Sequence, residues 1–213
     1  MLFESVLCDF EWTNRMVSQL YDRYVNNELL LNLSRPQHPE GCATASLTTA
    51  LNYLFGTERG LTTQEDFAAA LGLRNDDLGI PGGPGNEILL EWFRTYAGKR
   101  GLQAECGILL NGEDVKDALR NDGIFDQLKA IIRGSDTALV YHLEHHYNIV
   151  CGFVEHAVKA TEAYETAVPK QRWLILADPS FSRDPIWSIS WQAVCDDFRR
   201  DRRHCILAFS RTE

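Results

Sequence analysis

The sequence lacks any apolar run near the roughly 18 residues that a membrane-spanning helix requires. Basic residues are also outnumbered by acidic ones, since the sequence has 21 Lys and Arg but 30 Asp and Glu. The formal net charge is therefore −9. Such a charge argues against a general affinity for nucleic acid or for anionic membranes. The N-terminus carries acids where a signal peptide would carry lysines, so we expect a cytoplasmic protein.

Two familiar ligand-binding patterns are missing as well. The six cysteines form no C-x-x-C pair, which argues against a zinc knuckle or a disulfide framework. We therefore expect mostly reduced structural thiols, no metal and no cofactor. The cysteines are Cys8, Cys42, Cys106, Cys151, Cys195 and Cys205. The glycine-rich residues 79–86 lack the G-x-x-x-x-G-K-[ST] pattern of a phosphate-binding loop, so a plain loop before a helix is expected.

Cys42 is the one cysteine whose surroundings suggest chemistry. Two prolines and a glycine precede it, and a helical apolar pattern follows it to residue 55, where Gly56 is predicted to end the helix. A thiol at a helix N-terminus faces unpaired N–H groups and the positive end of the helix dipole, and both favour the thiolate. The same N–H groups can stabilise an oxyanion. A small buried cysteine in a core helix is the alternative.

The periodicity is helical early in the chain and strand-like later. Helices are predicted at residues 10–31, 42–55, 63–70, 87–96, 113–133 and 187–198. Strands are predicted at residues 102–110, 137–143, 147–154, 172–177 and 205–210. The expected fold class is therefore α+β. One domain over residues 1–213 is expected, with a helical half at about 1–133 and a sheet half at about 134–213.

A cysteine nucleophile needs a base, and three histidines cluster at the turn between two predicted strands. Among them His146 begins a strand and is the expected base. Asp178 ends the next strand, and antiparallel pairing would place its carboxylate beside His146, where it would fix the imidazole tautomer. The alternatives are a structural histidine and an ordinary Asp-Pro-Ser turn. A metal site at the three histidines lacks further ligands at suitable spacing.

Four patches of the sequence resemble the phytochelatin synthase family, which has the papain-like fold. They are Pro39-Glu-Gly-Cys42-Ala-Thr-Ala-Ser46, the strand that starts at His146, residues 174–187 with the following Trp191, and the closing strand at residues 206–210. The resemblance implies a papain-like cysteine protease fold, with the nucleophile helix packed on a C-terminal antiparallel sheet. The helix that begins at Cys42 is also similar to that of bacteriocin-leader peptidases.

The same resemblance implies an enzyme that works through a Cys42 thioester. Cys42 would be the nucleophile, His146 the base and Asp178 the orienting carboxylate. Gln37, five residues before Cys42, would contribute its side chain to an oxyanion hole, and Arg183 would contact substrate. The implied reactions are γ-Glu-Cys transfer, glutathione hydrolysis, or acyl transfer from a carrier-protein thioester to an amine in natural-product biosynthesis. The substrate partner would be a small thiol peptide or an acyl thioester, free or carrier-bound.

Two other interpretations of the sequence stay open, while the oligomeric state has no sequence signal. One is a leader-peptidase-like cysteine peptidase, and the other is a non-catalytic binding module on the same fold. For a binding module, the basic run at residues 199–203 would be the first partner surface to test. The default interpretation of that run is a solvated helix face.

Overall fold

The computed structural model describes residues 21–35, 37, 41–74, 84–116, 121–143, 145–159, 161, 169–180 and 184–212. In chain order the helices and strands in these ranges are β1 (Tyr21–Val25), α1 (Asn27–Leu31), α2 (Cys42–Arg59), α3 (Gln64–Leu71), α4 (Asn86–Arg100), β2 (Ala104–Leu110), α5 (Asn121–Arg133), β3 (Thr137–Leu143), β4 (His146–Ala157), β5 (Lys170–Ala177), β6 (Ile186–Ser190), α6 (Trp191–Arg200) and β7 (Cys205–Arg211).

The strands form one seven-stranded sheet in the order β2-β7-β3-β4-β5-β6, with β1 paired to β4. Every pairing is antiparallel, which confirms the α+β class with an antiparallel sheet. Both β3 and β1 use the long strand β4, which pairs with β3 up to Val150 and with β1 from Gly152 onward. The change of partner along β4, from β3 to β1, requires a glycine, because a Cβ at Gly152 would lie 2.4 Å from the Tyr24 carbonyl oxygen.

Helices cover both faces of the sheet. Side chains alternate along β3, so that Val140 belongs to the core on one face and Tyr141 to the core on the other. The first core holds α1, α2, α3 and α4, and the second holds α5 and α6. One sheet between two helical layers differs from the two face-to-face sheets of a β-sandwich.

Helix α2 is buried on all sides along most of its length. Every residue from position 42 to position 55 is buried, including the polar residues Thr44, Ser46, Thr48, Thr49 and Asn52. Most of its threonine hydroxyl groups bond within the helix, as in the 2.8 Å bond from Thr49 Oγ1 to the Ala45 carbonyl oxygen. Ser46 instead donates a 3.3 Å hydrogen bond to the Tyr147 carbonyl oxygen on β4. The helix packs against β3, β4 and β7 and so fixes Cys42 against the middle of the sheet. No helix within the described ranges has the length and apolar composition to cross a membrane.

The predicted end of α2 is wrong by one turn. Gly56 lies inside the helix, and the chain leaves it at Gly60, whose φ of 80° suits a residue without a side chain. For the following helix, α3, the sequence predicts a start at Thr62 or Thr63, and the cap is Thr63, whose Oγ1 accepts a 3.0 Å hydrogen bond from the N–H of Asp66.

Two predicted helices include strands. Residues 10–20 of the first lie outside the described residues. In its described part, residues 21–25 form β1 and α1 is helical, capped by the side chain of Asn26. Residues 187–190 of the second belong to β6, and α6 begins at Trp191 after the Ser190 cap. The predicted helix at residues 113–133 begins at Asn121, and residues 117–120 lie outside the described residues. The predicted division into a helical half and a sheet half is also less distinct than expected. Strands β1 and β2 lie within the first 133 residues and are part of the sheet.

A cluster of charged side chains on one face ties α5 to the sheet. The carboxylate of Glu155 accepts hydrogen bonds from Arg172 at 2.7 Å, from Lys170 at 2.9 Å and from Lys129 on α5 at 3.0 Å. Its side chain is 5% exposed. Burial alone would raise the pKa of Glu155, but the three cationic donors outweigh it and lower the pKa to about 2.

We predict that Glu155→Gln lowers the free energy of unfolding by about 1–3 kcal/mol, because it removes the buried charged acceptor shared by Arg172, Lys170 and Lys129. Lys129 keeps its 2.8 Å ion pair with Asp126 in this variant. Urea denaturation at pH 7 measures the change. Glu113→Gln is the matched control, since Glu113 pairs with Lys116 through a side chain that is 67% exposed, and we expect its loss to leave the urea midpoint nearly unchanged.

The stability difference between wild type and Glu155→Gln should depend on pH. A carboxyl group whose pKa is lowered on folding stabilises the fold above its unfolded pKa, which is about 4.3 for glutamate. That contribution disappears as the pH falls toward the folded value of about 2. A difference that stays constant from pH 7 down to pH 3 would contradict this assignment.

Candidate active site

Cys42 is the first residue of α2 and is 4% exposed. It follows Gly41, which has no side chain to bond the first N–H groups of the helix. The first bond of the helix runs 3.0 Å from the N–H of Ala45 to the carbonyl oxygen of Gly41, so the N–H groups before Ala45 are left for other acceptors. The thiol therefore lies where unpaired N–H donors and the helix dipole meet.

His146 is the first residue of β4 and follows a tight turn from β3. Leu143 and His146 are paired across that turn, and His145 has a φ of 65°, the left-handed conformation that such turns demand. The turn lies at the end of the sheet, and the imidazole of His146 remains 16% exposed. The site therefore reaches solvent along the edge of this ring.

Asp178 follows directly after β5, whose last residue, Ala177, is paired with Ile149 of β4. Antiparallel pairing thus brings the start of β4 and the end of β5 to the same end of the sheet. The Asp178 side chain is 0% exposed, and its Oδ1 lies 2.8 Å from His146 Nε2. The same oxygen accepts a 2.7 Å hydrogen bond from the N–H of Ser180.

The imidazole of His146 lies between the Asp178 carboxylate and the Cys42 thiol. Burial lowers the pKa of His146, but hydrogen bonds and charge interactions with Asp178 and Cys42 outweigh it and raise the pKa to about 9. Because Nε2 faces the carboxylate, Nδ1 is the nitrogen left for the thiol. A pKa of about 9 keeps the imidazole of His146 protonated at neutral pH.

Tyr147 is a neighbour of this site that the sequence patterns did not single out. Burial, followed by the nearby Cys42 and Cys205 thiols, raises the pKa of its phenol. The phenol donates a 2.7 Å hydrogen bond to the carbonyl oxygen of Pro84, just ahead of α4. Tyr147 therefore ties the start of α4 to the strand that carries His146. Sequence offered no sign of this contact, because the partners are 63 residues apart.

Gln37, the predicted oxyanion-hole residue, lies at the same end of the sheet. Its N–H donates a 3.1 Å hydrogen bond to the carbonyl oxygen of Pro179, next to Asp178. Its Oε1 is buried and has no hydrogen-bond partner among the described residues. The role of the Gln37 side chain stays a prediction, and Arg183, the predicted substrate contact, lies outside the described residues.

The other two histidines of the cluster are placed differently. His142 is buried and stacks on Tyr147, with ring centres 4.4 Å apart. Burial lowers the pKa of His142 to about 4, so the ring is neutral at pH 7. His145 occupies the turn itself. The described residues contain no group of His, Cys, Asp and Glu arranged to hold a metal ion, and Cys42, Cys106, Cys151, Cys195 and Cys205 are free thiols.

The basic run at residues 199–203 is largely engaged within its own chain. Arg199 bonds Asp196 at 2.9 Å, Arg200 bonds Asp197 at 2.6 Å and Arg203 bonds Asp201 at 2.7 Å. Two of these arginines lie in the last turn of α6, where a positive charge complements the helix dipole. These ion pairs favour the solvated helix face over a docking surface.

Comparison with known proteins identifies a family that the sequence patterns did not. A family model described as basic immunoglobulin-like variable motif-containing protein matches residues 20–210. A protein of that description from Xenopus laevis is 26% identical over 214 residues, which cover 84% of this chain and 43% of the frog protein. Another from Giardia intestinalis is 28% identical over 196 residues, which cover 78% of this chain and 70% of its own. The chain thus spans less than half of the frog relative.

Among solved structures, the crystal structure of UfSP from C. elegans aligns with a TM-score of 0.45 at 10% identity. The alignment covers 84% of this chain and 32% of that one.

The predicted membership of the phytochelatin synthase family is therefore wrong. The matched family model covers nearly the whole chain and carries a different description. The phytochelatin synthase-like acyl transfer, with glutathione or a carrier-bound thioester as donor, is wrong for the same reason, because it rested on that resemblance.

We predict that Asp178→Asn lowers the pKa of His146 by roughly one to three units, because the amide removes a negative charge in direct contact with the imidazolium. NMR titration of the His146 ring protons measures the change. Asp197→Asn is the control, since Asp197 is a second buried carboxylate that contacts a histidine, His204, at 2.9 Å. A His146 pKa that is equal in wild type and Asp178→Asn would contradict the assigned contact.

Proposed function

We propose that this chain, which belongs to the family of basic immunoglobulin-like variable motif-containing proteins, is a cysteine-dependent hydrolase of peptide bonds. Family membership alone assigns no reaction. The observation that carries the proposal is the 2.8 Å contact between His146 Nε2 and Asp178 Oδ1, which leaves the other ring nitrogen to the Cys42 thiol. A base held between a carboxylate and a thiol at a helix N-terminus is the arrangement that activates a cysteine nucleophile.

The reaction follows from the roles of these groups. The Cys42 thiolate attacks the carbonyl carbon of the peptide bond, and the charge moves to the carbonyl oxygen. The His146 imidazolium gives its proton to the amide nitrogen, the C–N bond breaks and an amine leaves. A water molecule then attacks the acyl-enzyme while His146 takes its proton. The C–S bond then breaks, the acid product leaves, and the Cys42 thiolate and the His146 imidazolium are restored.

Two sources of oxyanion stabilisation are available at the start of α2. The backbone N–H groups between Gly41 and Ala45 point along the helix axis toward the N-terminus, where the Cys42 side chain lies. Gln37 lies beside the turn that holds Asp178, and we propose its side-chain amide as a second donor. Loss of one oxyanion-hole donor typically reduces turnover by about 100- to 1,000-fold.

We assign the papain-like type to this site on its own architecture. The nucleophile begins a buried helix that packs on an antiparallel sheet, while the base and the orienting carboxylate come from adjacent strands of that sheet. A reactive thiol beside several free buried cysteines suits a reducing compartment, so we place the protein in the cytoplasm. The proposed activity belongs to the part of the longer frog relative that aligns with this chain, which is 43% of that protein.

We predict that iodoacetamide alkylates Cys42 at pH 6.5 at least about tenfold faster than an ordinary thiol, because the neighbouring imidazolium favours the thiolate. Intact mass with peptide mapping identifies the modified residue. In His146→Ala the rate should fall to that of an ordinary thiol. Cys106 serves as an internal control, because burial raises the pKa of its thiol.

Hydrolysis is tested with a library of fluorogenic peptides, for wild type and Cys42→Ala. Wild type should release product from some member of the library, and the alanine variant should release none above the uncatalysed rate. Slow alkylation of Cys42 together with equal rates for wild type and Cys42→Ala would overturn the proposed hydrolase. A protein with those properties would be the non-catalytic module.

A further inference from the structure

We propose that Arg35 is a positioning residue, which holds the turn at residues 178–180 and thereby aims the Asp178 carboxylate at His146. The guanidinium group donates a hydrogen bond from Nη2 to the carbonyl oxygen of Ser180, across 145 residues of sequence. The inference deepens the proposed hydrolase function and rests on it only for its catalytic meaning.

The peptide unit between Pro179 and Ser180 is held at both ends. Its carbonyl oxygen accepts a 3.1 Å hydrogen bond from the N–H of Gln37, and its N–H donates a 2.7 Å bond to Asp178 Oδ1. These bonds form a chain that runs from Gln37 through the peptide unit to the carboxylate and ends at His146 Nε2. Hydrogen bonds in such a chain polarise and strengthen one another.

Arg35 fixes the next carbonyl group in the same turn. With Gln37 bonded to Pro179 and Arg35 bonded to Ser180, residues 35 and 37 grip two successive carbonyl oxygens. The turn therefore has little freedom to rotate the N–H of Ser180 away from Asp178. An arginine suits this role because it carries five N–H donors and keeps its charge at all physiological pH values.

The gripping segment is itself tied to the nucleophile helix. The N–H of Ser34 donates a 2.9 Å hydrogen bond to Thr49 Oγ1 on α2, and Gln64 at the start of α3 donates a 3.0 Å bond to the Ser34 hydroxyl. Arg35 thus follows a residue anchored to the helix of Cys42 and reaches the turn of Asp178. Any movement of α2 relative to β5 would therefore have to stretch or break these hydrogen bonds. The segment at Ser34 and Arg35 thus maintains the distance between the Cys42 nucleophile and the Asp178 carboxylate.

The test replaces Arg35 with methionine, which keeps the length of the aliphatic stem and removes every donor. We expect NMR titration to show the pKa of His146 lowered by about half a unit in Arg35→Met, roughly a threefold change in its protonation equilibrium. Arg35→Lys keeps the positive charge and the N–H donors of an ammonium group, so it should restore most of the loss. Arg94→Ala is the control, because Arg94 also donates to a backbone carbonyl oxygen, that of Cys106, and should leave His146 unchanged.

A second measurement needs no variant. In the wild-type protein the amide proton signals of Ser180 and Gln37 should shift at the same pH at which His146 titrates, because all three groups share one hydrogen-bond chain. Two results would overturn the role of Arg35. One is an unchanged His146 pKa in a folded Arg35→Met protein, and the other is a set of Ser180 and Gln37 amide signals that stay constant over the pH range in which His146 titrates. Both results are independent of peptide hydrolysis, so they separate this proposal from the proposed function, which the alkylation of Cys42 decides.

Discussion

The buried carboxylate of Asp178, at one end of the sheet, determines how the neighbouring segments of the chain are arranged. The Asp178 side chain is fully removed from solvent, and a charge in that position is stable only when hydrogen-bond donors surround it. The donors come from parts of the chain that are far apart in sequence: His146 from the start of β4 and Ser180 from the turn that follows. The need to satisfy one carboxylate therefore brings the turn, the strand and the segment at Arg35 to one place.

The sheet is what makes this convergence possible. Antiparallel pairing of β4 with β5 brings the first residue of one strand near the residue after the other, and α2 packs against the middle strands with its N-terminus at the same end. Two helical layers bury both faces of the sheet, so the strands that carry His146 and Asp178 have little freedom to move. The site is a property of the whole core and not of a single loop.

Much of this fold was predictable from local pattern. Helix α2, the Thr63 cap of α3 and most strands after residue 100 follow from periodicity and capping residues, because side-chain burial repeats at the spacing of each element. Strand β1 was missed because its aromatic residues also match helical spacing, and only its pairing with β4 decides for a strand. In β6 the signals were present: Trp187 and Ile189 alternate, and Ser190 is a helix cap.

The site residues show the same difference between local signals, which the sequence reveals, and long-range contacts, which it does not. Cys42, His146 and Asp178 were singled out from residue type and from their places at the ends of elements, and the structure brings their side chains together, while their catalytic roles stay predictions. Arg35 and Tyr147 were missed because each acts through a carbonyl group far away in sequence, which no motif records. The family prediction failed because a cysteine that opens a helix is a local feature that several families can share, whereas the matching family model covers residues 20–210.

The burial of residues 42–55 of α2 has a consequence for how this protein would fail on heating. Amide protons in a helical segment enclosed by core on all sides exchange with solvent only when the whole structure opens. The position of the Cys42 sulfur is therefore as durable as the fold itself, with no earlier local melting to displace it. We therefore expect the enhanced alkylation proposed for Cys42 to be lost at the same temperature as the native state.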